Sequence, residues 1–240
     1  MTTHFIGYTD AYQKDFKARV VAVNESERAV ALDQTAFYPG GGGQPCDFGK
    51  LTWAGKSHAV IKAAKQDDLI WHWLEDDLPP VGEEVYGEID WERRYQLMRT
   101  HTAMHVLCGV VWHDYGASVT GGNMEPLQGR MDFEFETMHK DLVEVIEARV
   151  NQEIAAAHPV HSRFLPREEA FRIPDLIRTK INLLPQGITE VRVVEIEGLD
   201  LQADGGTHVA NTREVGRVKV VDYKSKGKIN KRIFIEVLDE

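Results

Sequence analysis

Two short segments far apart in the chain constrain its fold more than any other feature. The first is Arg99-Thr-His-Thr-Ala-Met-His105, inside a long apolar stretch, and the second is Asp204-Gly-Gly-Thr-His208, after a strand-like run. In each, two potential ligands lie four residues apart, a spacing that one helical turn or a tight loop gathers on one side. A fold that joins the two pairs assembles three imidazoles and a carboxylate, a donor set suited to zinc. A plainer reading stands beside this one. Paired core histidines also occur as hydrogen-bonded packing residues, and an aspartate before two glycines also caps turns.

The periodicity around these segments predicts two domains. Residues 1–90 read as short strands between turns: Arg19–Val23, Ala29–Leu32, Gly49–Trp53, Ala59–Ile61, Leu69–Trp73 and Glu84–Ile89. Such a series suggests a small β-barrel, with Pro79-Pro80 in a loop between two of its strands. From Trp91 the pattern turns helical. Arg94 to Tyr115 is apolar on most faces, which predicts a buried helix stopped by Gly116. His101 and His105 share one face of it with Leu97, Cys108 and Trp112.

A second helix is expected over Leu142–Ala157. Strands are expected at Arg130–Phe135, which alternates strictly and reads as half-exposed, and at Val191–Ile196, Arg217–Val221 and Arg232–Val237. The expected fold class is α+β: a small N-terminal barrel, then residues 91–240 with helices on an antiparallel sheet.

Composition excludes several classes. The longest apolar run, Ala103 to Trp112, is too short to span a bilayer, which takes about 20 residues, and the N-terminal sequence does not read as a signal peptide. Two cysteines, Cys46 and Cys108, make no disulfide framework, so a reducing cytoplasm is the expected compartment. A formal charge of −10 argues against nonspecific coating of nucleic acid. Yet Arg213 to Arg232 holds eight Lys/Arg against two acids. This stretch is either a local phosphate-binding face or a solvated strand-turn-strand with lysines guarding its edge.

Thr102 follows His101, so the glutamate base of His-Glu-x-x-His peptidases is missing. Instead, Arg99–Leu107, Gly205-Gly-Thr-His-Val209 and Thr212-Arg-Glu-Val-Gly216 together resemble the editing domain of alanyl-tRNA synthetases and its freestanding relatives, the AlaX proteins. Leu32–Gly49, with Gly40 to Gly43, is similar to the glycine-rich motif that precedes that domain. The chain has neither the long aminoacylation region nor the extension of the longest AlaX type, so it resembles the medium form.

The resemblance implies a hydrolase that deacylates mischarged tRNA-Ala, chiefly Ser-tRNA-Ala, with Gly-tRNA-Ala as a second candidate, and one Zn2+ per chain. The family's ligands, two helix histidines and a Cys-x-x-x-His pair, fall on His101, His105, position 204 and His208. Here Asp204 stands where many members have cysteine. It is a ligand, the holder of a water, or a residue behind the ligands, and Cys108 is an alternative donor.

The family carries a substrate-facing threonine near Thr120, the main candidate for reading the serine hydroxyl, with Gln44 second; the plain alternative for Thr120 is an ordinary turn residue before Gly121-Gly122. No general base stands out. Two other functions remain open at this level: a noncatalytic tRNA-binding module with structural zinc, and an unrelated zinc hydrolase of small esters or amides.

Overall fold

Alternation builds the barrel. In β2, Phe16, Ala18 and Val20 are buried while their neighbours Asp15, Lys17 and Arg19 are exposed, the two-residue period of a strand with one face on a core. In the computed structural model, which describes residues 2–176 and 187–239, the chain forms two compact units, Met1–Gln96 and Leu97–Glu240.

The first unit contains β1 (His4–Phe5), β2 (Asp15–Asn24), β3 (Ala29–Leu32), β4 (Gln34–Thr35), β5 (Gly49–Trp53), β6 (Lys56–Gln66), β7 (Leu69–Leu74) and β8 (Glu84–Ile89). β1 and β4 make a short parallel pair, and the other six close a barrel in the order β2-β3-β7-β6-β5-β8. Closure leaves no unpaired edge. Val20, Leu32, Leu51, Val60, Leu74 and Val85 fill the interior.

A buried ion pair holds the glycine-rich segment in place. Arg94 Nε donates to both carboxylate oxygens of Asp47 at 3.1 and 3.0 Å, and its other nitrogens donate to the carbonyls of Ala11 and Ala36. Asp47 also accepts the Tyr38 N–H at 2.7 Å. Both charged side chains are fully shielded from solvent, so the pair is tolerable only because these hydrogen bonds satisfy it.

α1 (Trp91–Tyr115) begins in the first unit and continues as the first helix of the second. After it come β9 (Val119–Glu125), β10 (Gln128–Glu134), α2 (Lys140–Ala155), β11 (Val160–Pro166), α3 (Arg167–Ala170), β12 (Glu190–Ile196), β13 (Asp200–Ala203), β14 (Arg217–Ser225) and β15 (Asn230–Leu238). The strands form two antiparallel sheets, β14-β15-β10-β9 and β11-β12-β13. α1 ends at Gly116 with φ 63°, as its sequence predicts. α2 is fixed to β14 by Asn151, which pairs with both backbone groups of Val218. The fold class is therefore α+β, with a small N-terminal barrel. Among the described residues, no helix is long and apolar enough to cross a membrane.

Three local expectations change. Met131, Asp132 and Phe133 are all buried, so β10 is not simply half-exposed. Arg232 covers Asp132 with bonds of 2.6 and 2.7 Å, and Lys226 adds a contact at 3.5 Å. Thr120, Gly121 and Gly122 lie within β9 rather than in a turn. α2 runs from Lys140 to Ala155, starting and ending slightly earlier than its apolar pattern indicates, whereas α1 starts at Trp91, where the pattern turns helical.

Candidate metal centre

The helix and the glycine loop bring their four groups to one place. One ligand atom from each of His101, His105, Asp204 and His208 lies within 4.8 Å of all the others. On α1, His101 and His105 are one turn apart and meet edge to face at 5.1 Å. His208 stacks on His101 at 4.2 Å between centroids. Asp204 Oδ1 lies 3.5 Å from His101 Nε2 and 4.0 Å from His105 Nε2, and Oδ2 lies 3.1 Å from His208 Nε2. All three Nε2 atoms thus approach one carboxylate.

Groups behind the quartet set its orientation. Nδ1 of His105 lies 2.9 Å from Asp200 Oδ2. Nδ1 of His208 shares a 3.2 Å hydrogen bond with Thr102 Oγ1, which also accepts the Val209 N–H. The glycine loop is shaped by Arg192, whose guanidinium donates to the carbonyls of Asp204 and Gly206 at 3.1 and 2.9 Å. Inside the loop, Gly206 N–H donates to Asp204 Oδ2 at 2.6 Å.

The packing of α1 depends on a glycine. Gly109, one turn beyond His105, faces the turn before β13, where an added Cβ would meet Leu199 at 2.9 Å. His113 then shares a 2.9 Å hydrogen bond with the Leu199 carbonyl.

Protonation states suit a cation. Burial holds the His101 imidazole well below its ordinary pKa, and the facing Asp204 charge only partly offsets this. Burial likewise brings His208 down to about 4. Neutral imidazoles are the ligating form. For Asp204, burial disfavours the charge, but attraction to a proton held on His101 and the bond to His208 outweigh it and keep the carboxyl below its usual range, a pull that a cation would supply once the imidazoles are neutral. Zinc bonds of about 2.0–2.1 Å set tetrahedral donor separations of about 3.4 Å, so the quartet needs only a modest contraction. The donor set fits a zinc-like ion.

Cys108 stands outside the quartet. It is buried, and its sulfur accepts a 3.3 Å hydrogen bond from Gln202 Nε2. Thr120 is half-buried on β9, its hydroxyl donating to Asn230 Oδ1 at 3.1 Å. Gln44 is buried in the first unit, where its backbone closes a bridge with Gly41. Arg99 does not join the quartet either; it donates to the carbonyls of Val215 and Leu238 and pairs with Asp239.

Sequence reasoning missed Asp200, Gln202, Thr102 and Arg192. A signal for the first two was present. In Asp200-Leu-Gln202-Ala-Asp204, polar residues recur at every second position, the period that puts them on one face of a strand.

Comparison with known proteins identifies the family. Residues 191–234, which include Asp204 and His208, match the model described as "Threonyl and Alanyl tRNA synthetase second additional domain". Residues 2–93 match "tRNA synthetases class II (A)". The alanyl-tRNA editing protein AlaX-M of Methanosarcina mazei is 37% identical over 99% of this chain and 98% of its own length. That of Saccharolobus solfataricus is 40% identical over 95% and 96%. The alanine–tRNA ligase of Pyrobaculum aerophilum is 39% identical over 91% of this chain but only 25% of the ligase. With relatives of this identity matched along nearly their whole length, the chain belongs to the AlaX-M family of alanyl-tRNA editing proteins.

Proposed function

We propose that the protein is a trans-editing hydrolase that deacylates mischarged tRNA-Ala, chiefly Ser-tRNA-Ala and also Gly-tRNA-Ala. The observation that carries this reading is the convergence of His101, His105, Asp204 and His208 in a chain nearly collinear with AlaX-M proteins. The substrate is an ester between an amino acid and the terminal ribose. Water adds to its carbonyl carbon, and the ribose oxygen leaves with a proton, giving free amino acid and tRNA.

The four residues would hold one zinc ion, which when bound supplies Lewis acidity toward the polar groups of the substrate. The chain's own residues supply orientation. The buried imidazoles of His101, His105 and His208 and the Asp204 carboxylate orient the reacting end in a shielded site, where electrostatic interactions are strong.

Discrimination against Ala-tRNA-Ala needs a group that pairs with the serine hydroxyl and is left unpaired by alanine. Thr120 is the first candidate. Its own proton goes to Asn230, so its oxygen retains acceptor capacity for a substrate hydroxyl. Gln44, beside the glycine-rich loop, is the second. The exposed lysines of β14 and of the turn before β15 are the candidate phosphate contacts.

A second reading has one observation in its favour: four protein donors complete a tetrahedral shell, as in structural zinc sites. One assay separates the two. Purified protein is incubated with Ser-, Gly- and Ala-tRNA-Ala, beside His101→Ala and a chelator-treated sample. Rapid loss of Ser-tRNA-Ala with wild type alone supports editing. Survival of Ser-tRNA-Ala at the buffer rate overturns it and leaves the noncatalytic, zinc-stabilised tRNA-binding module. Hydrolysis of small esters without tRNA would point instead to a general zinc hydrolase.

A further inference from the structure

The geometry points to Asp200 as the positioning residue of the metal centre: its carboxylate fixes which nitrogen of His105 carries the proton and so aims the other nitrogen's lone pair at the ion. This rests on the reading of the quartet as a metal site, and deepens it by naming a group outside the four.

The argument begins with acceptor chemistry. A carboxylate only accepts, so the 2.9 Å contact between Asp200 Oδ2 and His105 Nδ1 requires the proton on Nδ1. Nε2 is then the unprotonated nitrogen, and it is the atom that faces Asp204 Oδ1 at 4.0 Å. The corresponding partner of His208 is the Thr102 hydroxyl, which can donate or accept and therefore imposes no tautomer. Asp200 dictates the state of its imidazole; Thr102 does not.

The surroundings of Asp200 favour a positioning role over a surface ion pair. Its side chain is fully shielded from solvent. Gln202 Nε2 donates to the same Oδ2 at 2.7 Å and also to Cys108 Sγ at 3.3 Å. Since Gln202 is two residues along β13, both side chains lie on one face of that strand. The amide bridges strand and helix, fixing the carboxylate relative to α1. Carboxylates that orient a ligating histidine also raise its basicity, and their loss typically costs about 10–100-fold in metal affinity.

The test reads tautomer and affinity separately. Long-range 15N–1H spectra of the metal-free protein report which ring nitrogen of His105 carries the proton. Competition with a chromophoric chelator reports the zinc Kd. The expected wild-type result is a proton on Nδ1. Asp200→Ala should lose that preference and bind zinc about 10–100-fold more weakly. Asp200→Asn keeps an oxygen acceptor without the charge, so it should retain the tautomer and fall between the two in affinity. If Asp200→Ala does not fold, Asp200→Asn and Gln202→Leu carry the comparison.

A wild-type His105 protonated on Nε2 overturns the proposal. So does a folded Asp200→Ala that is less heat-stable but keeps its zinc affinity, which would make Asp200 a packing residue only. Zinc bound with the expected tautomer, but Ser-tRNA-Ala left intact, would instead sink the editing reading and leave this one standing.

Discussion

Asp204 Oδ1 lies 3.5 Å from Nε2 of His101, joining the helical and loop halves of the centre through a carboxylate. A carboxylate is a harder and less electron-donating zinc ligand than a thiolate. Apparent zinc binding of about 10–16 kcal/mol shared by four ligands assigns each about 3 kcal/mol, or roughly a hundredfold in affinity. Asp204→Ala should therefore weaken zinc by roughly that factor, and Asp204→Cys should tighten it. Metal analysis and chelator competition on both variants check this. Unchanged affinity in Asp204→Ala removes residue 204 from the ligand set.

Gly109 gives a prediction in which two effects oppose. Alanine in a helix interior is favoured over glycine by about 1 kcal/mol. A Cβ here, however, would sit 2.9 Å from Leu199 Cγ and 3.0 Å from its carbonyl oxygen, and such overpacking costs about 1–3 kcal/mol. The clash should win. Urea denaturation should show Gly109→Ala less stable, with weaker zinc binding because Leu199 immediately precedes Asp200. A more stable variant would mean that the turn yields without cost.

His72 makes barrel stability depend on pH. It is fully buried between Thr35 Oγ1, at 2.9 Å, and the Val30 carbonyl, at 3.2 Å, and burial lowers its pKa from 6.5 to about 4. The unfolded chain therefore takes up the proton first as pH falls. Stability from this group is complete above about 6.5 and is lost progressively down to about 4, a loss on the order of 3 kcal/mol. His72→Gln does not titrate there. Its denaturation midpoint should vary less across that window than the wild type's; parallel curves would contradict the assignment.

The basic β14–β15 hairpin is partly committed within the protein. Arg232 and Lys226 are turned to Asp132, and Lys231 donates to the carbonyls of Gly227 and Lys228. Lys224, Lys226 and Lys228 are nonetheless exposed near the tip, Lys224 also pairing with Asp222 and Lys226 with Asp132. Reversing these three charges should weaken tRNA binding and flatten its log–log salt slope by roughly two to three, since each phosphate contact contributes about 0.7–0.9. Filter binding across a salt series measures this. An unchanged slope assigns the phosphate contacts to another face.

Much of the architecture was legible because alternation and turns are local signals. Ala29–Leu32, Gly49–Trp53 and Glu84–Ile89 match their strands residue for residue. The strands that escaped notice lack that signal. β9 contains Gly121-Gly122, small because Met104 of α1 packs 3.2 Å from where a Gly122 Cβ would lie. β11 is an edge strand, mostly exposed from His161 to Phe164, so no apolar alternation marks it. The four converging groups could be picked out by spacing alone. Thr102 and Arg192 could not, because their partners, His208 and the Asp204–Gly206 loop, become neighbours only in the folded chain.

Arg192 has a consequence for how the centre is loaded. Its two bonds to the Asp204 and Gly206 carbonyls, with the Gly206 amide on Asp204, mould the loop from the neighbouring strand. Asp204 is thus aimed by protein contacts, and its ordering is completed during folding rather than on ion capture. An ion would therefore find the Asp204 carboxylate already turned toward the imidazoles, and would have to impose only the contraction of the four donors.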